Sequence, residues 1–316
     1  MFDLYKKRKF GDYISDSITF IRTFAKHYFG NYFAINGVFL MILAVGCYFL
    51  MEILMNAIFA MARQGQSQLL WNDYLNGSGG LIITTFIITL LMIILLSLCS
   101  FTYTVVYFEL VDKHKGNDFT RKEIRAVFKT HIGRMFLFFL LSLITIFPIL
   151  ILFFMAATAL SFMVIGIPLL VIFGPSMLAW VSLSYYEYLL NRQIGYFGAL
   201  SHGLEMVRNS FLAITGATLI ITIIIQILQS AVTMIPYVIG IIMFMVSTDS
   251  GNVAPNQETF SMISVMMAII FVISIVAGYF FNNLMIVSQG IIYYTAKENE
   301  TNNSAHMEID NIGTFE

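Results

Sequence analysis

An all-α, polytopic transmembrane helical bundle is expected from three observations. The chain of 316 residues is 59% hydrophobic and only 11% charged, where an ordinary soluble domain carries about 25% charged residues. It holds five stretches, 25 to 52 residues long, that lack Asp, Glu, Lys and Arg. Its cations gather on one side once those stretches are threaded through a bilayer. A globule of this size cannot hide so much apolar surface from water, because packed folds still need polar atoms to cover the outside. Acyl chains are the natural solvent for the excess. The full expectation is about six spans, paired as three hairpins, each preceded by an amphipathic elbow helix.

A helix crossing the ~30 Å hydrocarbon layer needs about 20 apolar residues. Residues 27–51 and 74–108 each supply one span. Residues 135–186 are long enough for two, with a turn at Gly166 and Pro168. Residues 209–248 supply a fifth span, which Pro236 interrupts, so that Tyr237 to Val246 is expected as a half-helix or a loop at membrane depth. Residues 259–296 supply the sixth. The expected spans are 33–58, 81–108, 135–157, 168–190, 211–235 and 261–290. With these spans, 16 of the 17 Lys and Arg lie on one face and only Arg63 on the other. The positive-inside tendency then puts both termini in the cytoplasm. Lys6, Lys7, Arg8 and Lys9 are followed by a polar amphipathic stretch, so no cleavable signal peptide is expected. Cys47 and Cys99 sit in apolar runs and read as small buried side chains, without ligand spacing or a disulfide framework.

Residues 1–296 read as one membrane domain in which each pair of spans is a copy of the same unit, at about 11–110, 116–190 and 195–296. Each unit opens with an elbow. The apolar stripes are Ile14, Ile18, Ile21, Ala25 and Tyr28; then Ile124, Phe128, His131 and Met135; then Phe197, Leu200, Leu204, Val207 and Phe211. Thr120 and Glu123 have capping-box spacing. The elbows share the words Ile21-Arg22-Thr23-Phe24, Ile124-Arg125-Ala126-Val127-Phe128 and Val207-Arg208-Asn209-Ser210-Phe211. Each unit closes on an aromatic pair: Tyr107-Phe108-Glu109, Tyr185-Tyr186-Glu187 and Tyr293-Tyr294-Thr295. Arg22, Arg125 and Arg208 are expected to reach Glu109, Glu187 or neighbouring carbonyls and so tie elbows to span ends. The polar stretch 63–80 reads as an outer loop, and the acidic, Asn-rich tail 297–316 as disordered.

Chemistry is sparse. Ionisable and amide groups inside spans are the candidates, because burying them in lipid is expensive. They are Glu52, Asn36 and Asn56 in the first span, Gln226 and Gln229 in the fifth, and Asn282 and Asn283 in the sixth. Amides there most often bond helix to helix. His202, Glu205 and Arg208 trace one polar helix face, the ordinary solvated side of an amphipathic helix. No histidine sits with a carboxylate or cysteine in metal-ligand spacing, and no catalytic or nucleotide motif is present, so neither a cofactor nor a metal nor an enzymatic activity is expected. Lys113, Lys115, Arg121, Lys122, Arg125 and Lys129 form a basic surface expected to attract anionic lipid headgroups. Nucleic acid is not expected as a partner of a membrane-tethered patch of this size.

Phe10-Gly11-Asp12-Tyr13, Ile167-Pro168-Leu169-Leu170 and Ser184-Tyr185-Tyr186-Glu187, with the elbow-and-hairpin pattern, resemble an uncharacterised bacterial family of polytopic membrane proteins. That family is similar to the membrane domain of glycerophosphodiester phosphodiesterases and lacks their catalytic domain. The resemblance implies a bacterial inner-membrane protein with no hydrolase activity. The function expected is a non-enzymatic membrane subunit or scaffold that engages other membrane proteins. The alternative is a transporter or lipid-handling protein that uses the polar residues of spans one, five and six.

Overall fold

The computed structural model describes residues 2–64, 67–161, 166–248 and 257–301. Every regular element among them is an α-helix: α1 (Phe10–Gln64), α2 (Ser67–His114), α3 (Arg121–Ser161), α4 (Gly166–Leu190), α5 (Tyr196–Asn209), α6 (Phe211–Thr248) and α7 (Gln257–Thr301). Six of these are long and apolar enough to cross a membrane, and in four of the six the most apolar window is only 11% buried. Side chains such as Ile144, Leu152 and Leu81 point outward along them. Apolar surface left outside on this scale is stable only in lipid. The chain is an all-α polytopic membrane protein.

Four expectations change. The first two elbows are not separate helices, since α1 and α3 each run unbroken from elbow into span. Only the third stands alone, as α5, because Ser210 leaves the helical region at φ −135° and α6 restarts at Phe211. Pro236 does not break its span: α6 continues through it to Thr248, since inside a membrane one lost backbone bond leaves the rest of the ladder intact. Helix also occupies residues 67–80, read above as loop. The start of the expected tail is helical instead, as α7 continues to Thr301 with Glu298 fully buried; residues 302–316 lie outside the described residues.

Local chemistry fixes the helix ends. α3 starts where the Glu123 amide donates to Thr120 Oγ1 at 3.4 Å, half of the expected capping box. α2 ends as Lys115 turns to φ 52°, a left-handed residue that stops a helix. Pro168 sits in the first turn of α4, where a missing amide proton costs nothing.

The helices gather into two compact units. One carries the termini: residues 1–32, 100–225 and 283–316. Its α4 packs against α3 and α5. The buried face of its α1 segment is Tyr13, Ser17, Phe20, Phe24 and Tyr28. That face is rotated from the expected stripe, because the aromatics outcompete Ile14 and Ile18 for the interior, and Ile18 is exposed. α5 is rotated likewise: Tyr196, Ala199, Gly203 and Met206 are buried, whereas Phe197 and Leu204 are exposed. Gly203 allows this packing, since a Cβ there would lie 2.7 Å from the Ser184 backbone nitrogen.

The second unit holds residues 33–99 and 226–282. Its core is Leu40, Leu43, Cys47 and Leu96, with Val272, Ile275 and Val276 packed on it. Tyr279 adds a hydroxyl bond to the Ile93 carbonyl at 3.2 Å. Cys47 and Cys99 are both buried free thiols.

Candidate functional site

The densest polar chemistry lies in the unit that carries the termini, where α2, α4 and α7 end in their aromatic words. Phe108, Tyr186 and Tyr294 are all buried. The Phe108 ring stacks on Tyr294 at 5.7 Å and meets Tyr186 edge-on at 6.2 Å. Phe20 of α1 stacks on the same Phe108 at 4.6 Å. Aromatic pairs at these distances add roughly 0.5–1.5 kcal/mol each beyond area burial. Gly290 keeps the centre open, because a Cβ there would come within 2.7 Å of both the Phe108 ring and the Tyr186 hydroxyl.

One residue beyond each ring lies a polar group, and each faces a side chain of a different helix or segment. Glu109 accepts from His131 Nε2 of α3 at 2.8 Å. Glu187 faces His202 Nδ1 of α5 at 3.2 Å. Thr295 accepts from Arg8 Nη1 at 3.0 Å. Glu187 is fully buried and gathers further donors: Tyr293 at 2.8 Å, Asn191 at 3.0 Å and Lys297 at 3.0 Å. A buried carboxylate needs this many partners, since its desolvation costs several kcal/mol. Arg8 is buried too, pairing with Asp16 at 2.8 Å and donating to the Leu4 and Asp3 carbonyls. Arg134 closes the α4–α5 connection by donating to the carbonyls of Tyr188, Asn191 and Ile194, with its guanidinium over the Tyr188 ring at 4.1 Å.

Among the described residues three cavities stand out. The first, about 300 Å³, is lined by Tyr5, Glu109, Asp112, Tyr293, Tyr294 and Lys297. Tyr5 donates to Asp112 at 3.1 Å. Burial, and then the Asp112 charge, raise its hydroxyl well above the usual tyrosine range, so it serves as a fixed donor. The second, about 470 Å³, lies where α1 meets the start of α3 and is lined by Lys26, His27, Asn31, Asn117, Thr120 and Arg121 among others. Both belong to the unit that carries the termini. The third belongs to the second unit. It is an apolar groove of about 360 Å³ bounded by Val45, Tyr48 and Phe49 of α1 and by Ile269, Val272 and Ile273 of α7.

The residues expected to carry function fare unevenly. Arg22, Arg125 and Arg208 are exposed and form no ion pair among the described residues. The expected arginine ties are replaced by histidines, because α1, α3 and α5 turn their arginines outward. His27 bonds Tyr107 at 3.0 Å and the Phe119 carbonyl at 3.1 Å. His202, read as solvated, lies between Glu187 and Glu300 at 3.2 Å from each. Among the intramembrane polar residues, Asn283 is buried and accepts from Tyr28 at 2.8 Å. Asn36 is fully buried, with neither amide atom bonded. Gln229 is half-buried beside Gly278, Glu52 is half-buried, and Gln226 and Asn282 are exposed. The Asn56 side chain lies outside the described residues. None of the other six lines the three cavities. Lys113, Lys115, Arg121, Lys122, Arg125 and Lys129 are all exposed, and Lys115 is paired with Asp112 at 2.9 Å.

Arg8, Arg134, His131, His202 and Lys297 were missed as contact residues. Arg8, Arg134 and Lys297 carried only the topology signal of a cation outside a span, and His131 and His202 only their places in the elbows. Among the described residues no group of three or more His, Cys, Asp or Glu is arranged to hold a metal ion. No protein-family model, curated protein or solved structure matches the chain.

Proposed function

We propose that the chain is a non-enzymatic integral subunit or scaffold of a bacterial inner-membrane complex, with both termini cytoplasmic and a triplicated elbow-and-hairpin unit. One observation carries the reading. The polar residues at the ends of α2, α4 and α7 are spent on holding helices together, and those inside the spans do not gather at any of the three cavities. The equivalent positions Glu109, Glu187 and Thr295 each meet a side chain of the segment that opens the next unit: α3, α5 and, closing the cycle, the stretch before α1. That cyclic pattern supports the triplication. The one-sided Lys and Arg distribution supports the cytoplasmic termini. The resemblance to the membrane domain of glycerophosphodiester phosphodiesterases belongs to the same proposal. So do anionic lipids and other membrane proteins as partners, to the exclusion of nucleic acid.

Crosslinking in native membranes followed by purification tests the scaffold. A protein recovered at fixed stoichiometry is the expected result. A chain recovered alone that moves a solute across liposomes overturns it. The apolar groove along α1 and α7 favours a second reading, a lipid-handling protein in which an acyl chain lies against Val45, Tyr48 and Ile273. Val45→Trp would then abolish photo-crosslinking to a labelled acyl chain.

A further inference from the structure

The cavity between α1 and the start of α3 has a composition unlike the other two. Lys26 and Arg121 line it, and none of its lining residues is Asp or Glu. Elsewhere in this unit several cations are matched: Arg8 by Asp16, Lys115 by Asp112, Lys297 by Glu187, Arg134 by carbonyls. Here the framework around the cations is self-satisfied and the cations are not. His27 uses both ring nitrogens, on Tyr107 and the Phe119 carbonyl, which pins the α2–α3 connection over α1. Asn31 donates to the His27 carbonyl at 2.8 Å and accepts from Arg121 Nε at 3.0 Å. That bond fixes the guanidinium and engages only its inner nitrogen. Among the described residues no acceptor meets the terminal nitrogens of Arg121 or the Lys26 ammonium. A planar pair of guanidinium donors beside a lysine point charge suits a tetrahedral oxyanion.

We propose that this cavity binds a phosphate group, carried either by an anionic lipid headgroup or as the free ion. Arg121 takes two phosphate oxygens through its terminal nitrogens, Lys26 neutralises the remaining charge, and Asn31 and His27 are positioning residues. The site deepens the reading of the basic surface as a headgroup region, and rests on it only for the lipid source. Lys122 and Arg125 belong to that surface but do not line the cavity, which makes them the controls.

The full chain is reconstituted in phosphatidylcholine nanodiscs with or without phosphatidic acid. Retained phosphatidic acid is counted by native mass spectrometry. Inorganic phosphate binding is measured by calorimetry at constant ionic strength. Lys26→Gln and Arg121→Gln are each expected to weaken binding of whichever probe the wild type takes by about tenfold or more. Lys122→Gln and Arg125→Gln are expected to change it less than about twofold. Lys26 is exposed and unbonded, so its variant reports on the site even where Arg121→Gln disturbs the fold. Phosphatidic acid retention assigns the headgroup. Inorganic phosphate binding without lipid preference assigns the free ion, and sinks the headgroup reading alone. Equal losses in all four variants, or no binding of either probe, overturn the proposal.

Discussion

Glu187 shows how one side chain can tie several elements together. It is fully buried and receives Tyr293, Asn191 and Lys297, with His202 Nδ1 of α5 3.2 Å away, so α4, α5 and α7 meet around two oxygens. Removing one partner of a buried pair leaves the others uncompensated, which typically costs about 3–5 kcal/mol. Lys297 keeps some solvent access at 22% exposure, so the lower end of that range is expected for Glu187→Ala. Glu187→Gln keeps one acceptor oxygen, for either Tyr293 or Asn191, which bond different carboxylate oxygens, and should lose somewhat less than Glu187→Ala. Thermal unfolding in detergent orders the three proteins; equal stability of Glu187→Ala and wild type would refute the role. Gly290 gives a second prediction at this scale. Its Cβ would meet Phe108 and Tyr186 at 2.7 Å, in an interior that has no slack. Gly290→Ala should destabilise by about 1–3 kcal/mol, read as a lower melting temperature.

At the scale of elements, the α4–α5 connection depends on one arginine. Arg134 satisfies the Tyr188 carbonyl in the last turn of α4 and bonds those of Asn191 and Ile194 in the connection beyond it. A lysine offers a single point charge and loses the planar fork. Arg134→Lys is therefore expected to speed amide hydrogen exchange across 190–196 while leaving α2 unchanged, and Arg134→Ala to speed it further. Unaltered exchange in both would show that packing alone holds the connection. The elbows belong to this scale as well. Their apolar positions were legible, but which of them face inward was not. In α1 the aromatics Tyr13, Phe20 and Phe24 take the interior and leave Ile18 exposed. A stripe read from spacing gives the helical period, and the depth of burial depends on what lies opposite.

For the whole molecule, the proposed topology makes a direct prediction. Asp118 and Ser201 are exposed in the α2–α3 connection and in α5, and both belong on the cytoplasmic face. Single cysteines at these positions, with Cys47 and Cys99 replaced by Ala, should react with an impermeant maleimide from the same side of a sealed vesicle. The native thiols are buried and should react slowly from either side. Labelling of 118 and 201 from opposite sides would remove the even span count. The scaffold reading would fall with it, because the three polar span ends could no longer share one face.

Residue chemistry alone determined that this chain is a membrane protein, that its fold is all-α, and that six segments are long and apolar enough to cross. These follow from length and solvent: a backbone in hydrocarbon must bond within itself, and about 20 apolar residues are needed to cross. The aromatic-acid words were visible too, but the side chains that meet them were not. Only the tertiary structure decided which cation meets which acid. Arg22, Arg125 and Arg208 matched in sequence and turned outward, whereas His131, His202 and Arg8 did not match and turned in. It also decided that Lys26 and Arg121, 95 positions apart in the chain, share one acid-free cavity. Solvent preference is a property each segment carries by itself. Pairing depends on the rotation of one helix against another, a few tens of degrees that no local pattern encodes.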